Sequence, residues 1–334
     1  MLLLKSIIIL IVGFVLLIKG ADFFVEGSSA VAKRLRIPSM IIGMTIVAMG
    51  TSLPECAVSV TASLTGNNTL AISNAIGSNI FNLLVVCGVC SLFVPLAVQK
   101  STLQKEFPLS IFCAELLLLL GYLGMTLGHI DGIILIIIFA GYLLWMIQSA
   151  RNARNQTFAD EDSDTAGSRT SLSAEEIEQV ASNINLLPAW KCIIFILGGM
   201  IAIKYGGDFV VNGASAIASS LGLSQTLIGL TIIAMGTSLP ELVTSIVAAK
   251  KDEVDMAVGN VIGSNIFNIL LVLGVAAAIS PLEFIMENMI DIAFLILISV
   301  ITLVFAWTSK EINRKEGIIM LLLYAVYMVY ICMR

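Results

Sequence analysis

Residues 41–55 read IIGMTIVAMGTSLPE, and 186 positions later residues 227–241 read LIGLTIIAMGTSLPE, with 12 of 15 positions identical. Residues 71–84, AISNAIGSNIFNLL, return at the same offset as AVGNVIGSNIFNIL over 257–270, with 10 of 14 identical. The same ungapped shift carries Asp22 onto Asp208, Gly27 onto Gly213 and Pro95 onto Pro281. Self-similarity at one fixed offset marks a duplicated structural unit. The best-preserved segments are the polar ones, where drift in a lipid-packed helix would be easiest to accept if nothing bound there.

Outward from these segments the chain is strongly apolar. Of 334 residues 58% are hydrophobic and 12% charged, at a mean hydropathy of +1.00; soluble domains carry about 25% charge. Ten runs are long enough to cross a hydrocarbon core of about 30 Å: 2–31, 38–64, 69–94, 107–127, 130–149, 188–219, 225–250, 255–280, 287–307 and 315–333. Residues 2–18 lack the positive region and clear cleavage site of a signal peptide, so a first membrane helix is expected there. Cys87 and Cys90 form a CxxC inside an apolar run and read as small packing residues rather than a redox or zinc pair. The expected fold is an all-α integral membrane protein of ten transmembrane helices. A first five-helix repeat takes 1–149, a linker 150–187 and a second five-helix repeat 188–334. The linker is hydrophilic, with a capping-box start at Ser173 to Glu176. Its acidic run at 160–164 lacks the glycine and distal glutamate of an EF-hand loop.

Five spans separate each residue from its copy, and five is odd, so the two repeats are expected to be inverted relative to each other. Charge placement agrees. Alternate loops, counted from the one after the first span, hold 14 of the 18 lysines and arginines, and the opposite loops hold none. Positive residues favour the cytoplasm, which puts both termini outside and the linker inside, with the protein in the plasma or inner membrane. Inverted repeats are a transporter architecture, with substrate bound near the midplane between them.

Five of seven prolines fall at predicted helix ends, but Pro54 and Pro240 lie mid-span. An interior proline has no N–H for the carbonyl four residues earlier, so breaks are expected near Gly-Thr-Ser, freeing carbonyls around Ala48 to Thr51 and Ala234 to Thr237. Such carbonyls are tolerated at membrane depth only where they line a cavity or bind something. Glu55 and Glu241 follow directly, each near mid-span, where a charge costs at least ~2.5–3.5 kcal/mol. One buried glutamate can serve structure alone; two in register beside proline breaks point to function. Asn74, Ser78 and Asn82 share a helical face at i, i+4, i+8, and Asn260, Ser264 and Asn268 repeat it. Gly77 and Gly263 permit close helix approach. The combined set is an oxygen cage of two carboxylates, hydroxyls, amide oxygens and carbonyls. It lacks Cys and His, which soft transition metals would want, and suits hard cations such as calcium or sodium. Competition of two cations for one site with alternating access is antiport.

The paired GTSLPE and GSNIFN segments resemble the calcium/cation antiporter superfamily, closest to its prokaryotic sodium/calcium exchanger branch, over essentially the whole chain. The resemblance implies ten helices, with spans two, three, seven and eight around the site and spans one and six sliding to switch access. Carried over by position, Glu55 and Glu241 would be the central calcium ligands. Thr51, Ser52, Ser78, Thr237, Ser238 and Ser264, with the carbonyls of Ala48 and Ala234, would flank them as calcium or sodium ligands, and Asn82 and Asn268 would face the centre. Members often carry an aspartate where this chain has Asn268, which bears on ion stoichiometry.

The function expected is a secondary active antiporter exchanging calcium for sodium. A proton/calcium antiporter is the alternative, and an intramembrane hydrolase using the two glutamates as an acid/base pair is the reading from a different class. A passive channel would show flux without counter-ion dependence. No cofactor and no nucleic-acid partner are expected; calcium and sodium are cargo, the bilayer is the partner, and the oligomeric state, a monomer included, is open. Glu115 has no counterpart and reads as helix-paired or protonated. Asp22 and Asp208 either line an access path or pair with Lys19 and Lys204.

Overall fold

The computed structural model describes residues 2–167, 187–222, 232 and 234–333. Among them, seven helices are long and apolar enough to cross a membrane, and a bent pair, Ser39–Thr51 with Leu53–Leu64, makes an eighth. Of the other two expected spans, one is the Glu106–Tyr122 helix of 17 residues. The other, 225–250, begins outside the described residues. The protein is thus an all-helical, multi-pass membrane protein.

Most helix limits fall where apolar runs meet turn signals. The first helix, Leu2–Leu35, stops at Arg36 with φ 55°, and its counterpart, Ala189–Ser220, stops before Gly222 with φ 86°. The Leu53–Leu64 helix stops before Gly66 (φ 75°), and Leu239–Lys250 stops before Asp252 (φ 62°). Each pair is related by the 186-residue shift, with glycine at one member, where the left-handed conformation costs least. Two limits differ from expectation. The Glu106–Tyr122 helix ends five residues early, because Met125 turns left-handed at φ 51° and Thr126–Leu127 pairs with Leu282–Glu283. The His129–Gly167 helix continues well past residue 149: apolarity ends there, but no proline or glycine stops the helix before Gly167. The expected capping box at Ser173 lies outside the described residues.

Two helical stretches form the centre. Of the most apolar part of Asn68–Phe93, 72% is buried, and of Val254–Ile279, 78%; the figure is 28% for each of Leu3–Leu35, His129–Asn155 and Ala189–Ser220. The last-named helix and the first lie side by side with glycines at seven-residue spacing in the seam: Gly13, Gly20 and Gly27 against Gly199, Gly206 and Gly213. A Cβ on Gly20 would sit 2.8 Å from the Ile203 nitrogen, and one on Gly206 2.5 Å from the Leu17 nitrogen. Only glycine allows the two backbones to approach so closely.

The loops sort into two groups. In one, Leu96–Ala97 pairs antiparallel with Glu311–Ile312, Gln99 donates to Asp255 at 2.6 Å, and Lys33 lies 3.3 Å from Glu253. In the other, Thr126–Leu127 pairs with Leu282–Glu283, and Asn68 donates to the Pro281 carbonyl at 2.8 Å. Cys87 and Cys90 are buried free thiols that pack in the core.

Candidate functional site

The first break falls at Ser52 (φ −86°, ψ 10°), and the helix axis bends by 48° across it. Pro54 then sits in the first turn of Leu53–Leu64, where its missing N–H is tolerated, and has none to offer the Gly50 carbonyl. Glu55 lies in that same first turn, where the helix dipole favours a carboxylate. The second repeat is built alike: Ala234–Gly236 ends, Thr237 and Ser238 turn, and Leu239–Lys250 begins with Pro240 and Glu241 in its first turn. The Ala48 carbonyl is not freed as expected. It accepts the Ser52 N–H at 3.0 Å and the Thr51 hydroxyl at 3.3 Å, because the break falls at Ser52, whose N–H still closes the last bond of the preceding helix. Ala234 begins its short helix; its side chain lies outside the described set.

The repeats meet crosswise at the two carboxylates. Ser52 donates to Glu241 Oε1 at 2.7 Å, and Ser238 donates to Glu55 Oε1 at 3.2 Å. Ser78 also donates to Glu55 Oε1, at 3.3 Å, and Ser238 lies 2.9 Å from Ser78. Thr51 lies 3.1 Å from Asn260 Oδ1. Both glutamates are completely buried. Among the described residues neither has a basic partner within ion-pair distance. Their second oxygens, Glu55 Oε2 and Glu241 Oε2, are buried without a hydrogen-bond partner among the described residues, as are Asn82 Oδ1, Asn268 Oδ1, Ser264 Oγ and Thr237 Oγ1. Buried carboxylates without compensation cost several kcal/mol. A set of oxygens that leaves this many acceptors unsatisfied suits a hard cation.

Asn82 and Asn268 each open a π-helical segment, Asn82–Val86 and Asn268–Leu273. Such widened turns recur at functional sites. The Asn82 segment packs on Leu239–Lys250 and the Asn268 segment on Leu53–Leu64, so each asparagine belongs beside the other repeat's glutamate helix. Asn74 and Asn260 do something else. They donate to Ser59 and Ser245 at 2.9 and 3.0 Å and to the backbone carbonyls of Glu55 and Glu241 at 3.2 and 3.4 Å, bracing the half-helices from behind. Gly263 lies against Met44, whose Cα would be 2.6 Å from an added Cβ, as close approach requires. The residues expected opposite Gly77 lie outside the described set. Two residues that the helical-face reading passed over, Asn79 and Asn265, link the repeats: each donates its amide to the other's backbone carbonyl, at 3.0 and 3.3 Å. Both lie within the repeated GSNIFN segment, which was the available signal.

A cavity of about 320 Å³ reaches the second break from the side of the Thr65–Asn68 loop, lined by Pro54, Val58, Asp208, Asn212, Thr237 and Pro240 among others. Asp208 pairs with Lys204 at 3.0 Å, as one reading of the sequence had it. Asp22 instead pairs with Lys251 at 2.5 Å, not with Lys19. Glu115 is exposed on the outside of the bundle, away from the site.

The model of the family described as sodium/calcium exchanger protein matches residues 5–148 and 191–333. The chain belongs to this family. It is therefore a membrane antiporter and not an enzyme. The sodium/calcium exchanger MaX1 of Methanosarcina acetivorans is 31% identical, over 97% of both chains, and the inner membrane protein YrbG of Escherichia coli is 36% identical, over 93% of this chain and 92% of that one. The solved sodium-calcium exchanger NCX_Mj superposes with a TM-score of 0.80 at 31% identity, over 98% of this exchanger-family chain and 99% of its own.

Proposed function

We propose that this exchanger-family protein trades calcium for sodium across the membrane by alternating access to one central site. The observation that carries the reading is the pair of fully buried glutamates, one per repeat, each with a carboxylate oxygen that no side chain satisfies. The proposed ligands are Glu55 and Glu241, with Thr51, Ser52, Ser78, Asn82, Thr237, Ser238, Ser264 and Asn268 supplying hydroxyl and amide oxygens, and the Ala234 carbonyl at the margin. Two carboxylates balance one divalent ion. Sodium uses the same donor types, so the two loads compete for the cage instead of sharing it, which couples their movements in opposite directions. The printed names of MaX1 and NCX_Mj are those of sodium/calcium exchangers, which supports the choice of ions.

Ten spans in two inverted repeats are part of the proposal. In support, Thr65–Asn68 and its shifted copy Lys251–Val254 contact different loop groups: Asn68 reaches Pro281, whereas Glu253 reaches Lys33. The Lys33 group is also the basic one, which assigns it to the cytoplasm, with both termini outside and the linker inside. The glycine seam supports movement of the first helix and Ala189–Ser220 as one body.

The test is calcium uptake by purified protein in sealed proteoliposomes. An outward sodium gradient should drive uptake and an outward proton gradient should not. Uptake driven only by protons would make it a proton/calcium antiporter, and flux indifferent to any counter-ion would make it a channel.

A further inference from the structure

We propose that Asn79 and Asn265 are positioning residues that fix which atom Asn268 and Asn82 present to the bound cation. Asn268 donates its amide to Asn79 Oδ1 at 3.1 Å, and Asn82 donates its amide to Asn265 Oδ1 at 3.2 Å. The two clamps are themselves locked, since Asn79 Nδ2 donates to the Asn265 carbonyl and Asn265 Nδ2 to the Asn79 carbonyl, at 3.0 and 3.3 Å. All four side chains are buried, so no water competes for these bonds.

An amide has an acceptor end and a donor end, and only the acceptor end attracts a cation. Rotating Asn268 by half a turn would present two N–H groups to the site and place its oxygen against Asn79 Oδ1, an acceptor facing an acceptor. Flipping Asn79 to relieve that contact would turn its oxygen toward the Asn265 carbonyl. The locked backbone bond therefore sets Asn79, Asn79 sets Asn268, and the oxygen of Asn268 is left without a protein partner. The mirror chain runs from Asn265 to Asn82. Because each clamp holds the asparagine of the opposite repeat, the arrangement exists only when the repeats are docked, and it makes each repeat's contribution to the cage depend on the other.

This inference rests on the cation site proposed above, and a double-mutant cycle separates the two. Calcium KM and turnover would be measured in proteoliposomes for the full chain carrying Asn79→Ala, Asn268→Ala, Asn82→Ala and the pairs. Loss of an outer partner that orients a metal ligand costs roughly 10–100-fold in affinity, so Asn79→Ala should raise calcium KM at least tenfold, with protein that still elutes as folded. In the Asn268→Ala background the same change should add less than twofold, whereas in the Asn82→Ala background it should act in full. Additivity with Asn268→Ala, or a fall in turnover at constant KM, would overturn the clamp and leave the site standing. No effect of Asn268→Ala by itself would instead remove Asn268 from the site. Asn265→Ala, the mirror change, covers the case in which Asn79→Ala does not fold: a tenfold rise in calcium KM that disappears in the Asn82→Ala background supports the clamp, and additivity with Asn82→Ala contradicts it.

Discussion

The two ends of the glycine-seamed helix pair occupy equivalent positions in their repeats, yet they are held differently. At the end of the first helix, Lys251 bridges Asp22 at 2.5 Å and Glu26 at 3.4 Å, while Glu253 takes Lys33 at 3.3 Å and the Ser29 hydroxyl. Shifted by 186, those positions become Asp208, Asn212, Ser219 and Ser215 on the other helix, and Lys251 and Glu253 become Thr65 and Asn67. Of the charges in that group Asp208 remains, paired with Lys204 of its own helix at 3.0 Å, and the cavity beside it reaches Pro54 and Thr237. The repeats are thus equal at the glutamates and unequal at the approaches. One approach is tied by ion pairs between the repeats, and the other is bordered by a cavity of about 320 Å³.

The largest expected effect tests the equal part. Glu55→Gln and Glu241→Gln should each weaken calcium binding, measured by isothermal titration, by at least about 100-fold, because each leaves the remaining charges of the site unbalanced. Losses differing by more than about tenfold between the two would break the equivalence. Next is the seam. Gly20→Leu and Gly206→Leu force a side chain into the partner's backbone, and overpacking of about 1–3 kcal/mol should cut exchange roughly tenfold in both, in protein that still elutes as folded. An effect confined to one glycine would mean that the helices do not move as a body.

A smaller effect sharpens the unequal part. Lys251→Met removes the bridge to Asp22 and Glu26; partly exposed pairs are worth roughly 0.2–1 kcal/mol, so the population open on the Lys251 side should rise about two- to fivefold. In a cysteine-free background, Val243→Cys labelling from the Lys251 side should increase by that factor, while labelling of its counterpart Ala57→Cys from the opposite side falls. High salt should mimic the substitution, since it screens exposed pairs. The smallest change is expected for Lys204→Gln beside the open cavity: about a twofold shift in calcium KM measured from that side, and none from the other.

The sequence made the centre of this molecule readable and its couplings unreadable. Pro54, Pro240, Glu55 and Glu241 could be placed because a helix has fixed hydrogen-bond spacing and a membrane has a fixed thickness, so a mid-span proline and carboxylate announce themselves. The i, i+4 spacing that singled out Ser78 and Asn82 passed over Asn79, whose task is set by the docking of one repeat on the other and leaves no periodic trace. Lys19 was the natural partner for Asp22 by spacing along one helix; the partner the fold supplies, Lys251, is 229 residues away. The π-helical turns at Asn82 and Asn268 were likewise unforeseen, since nothing in the residue pattern distinguishes them from the α-helix on either side. Hydropathy placed the end of the fifth span at residue 149 because it registers where apolar residues stop, whereas the helix continues through the polar residues that follow.

The most direct measurement is the ion density of crystals of the full chain soaked in calcium. The account predicts one strong peak between Glu55 and Glu241, touched by carboxylate oxygens from both repeats at about 2.3–2.6 Å. A calcium peak held by one glutamate alone, or located elsewhere while the two carboxylates remain apart from it, would contradict a shared central site.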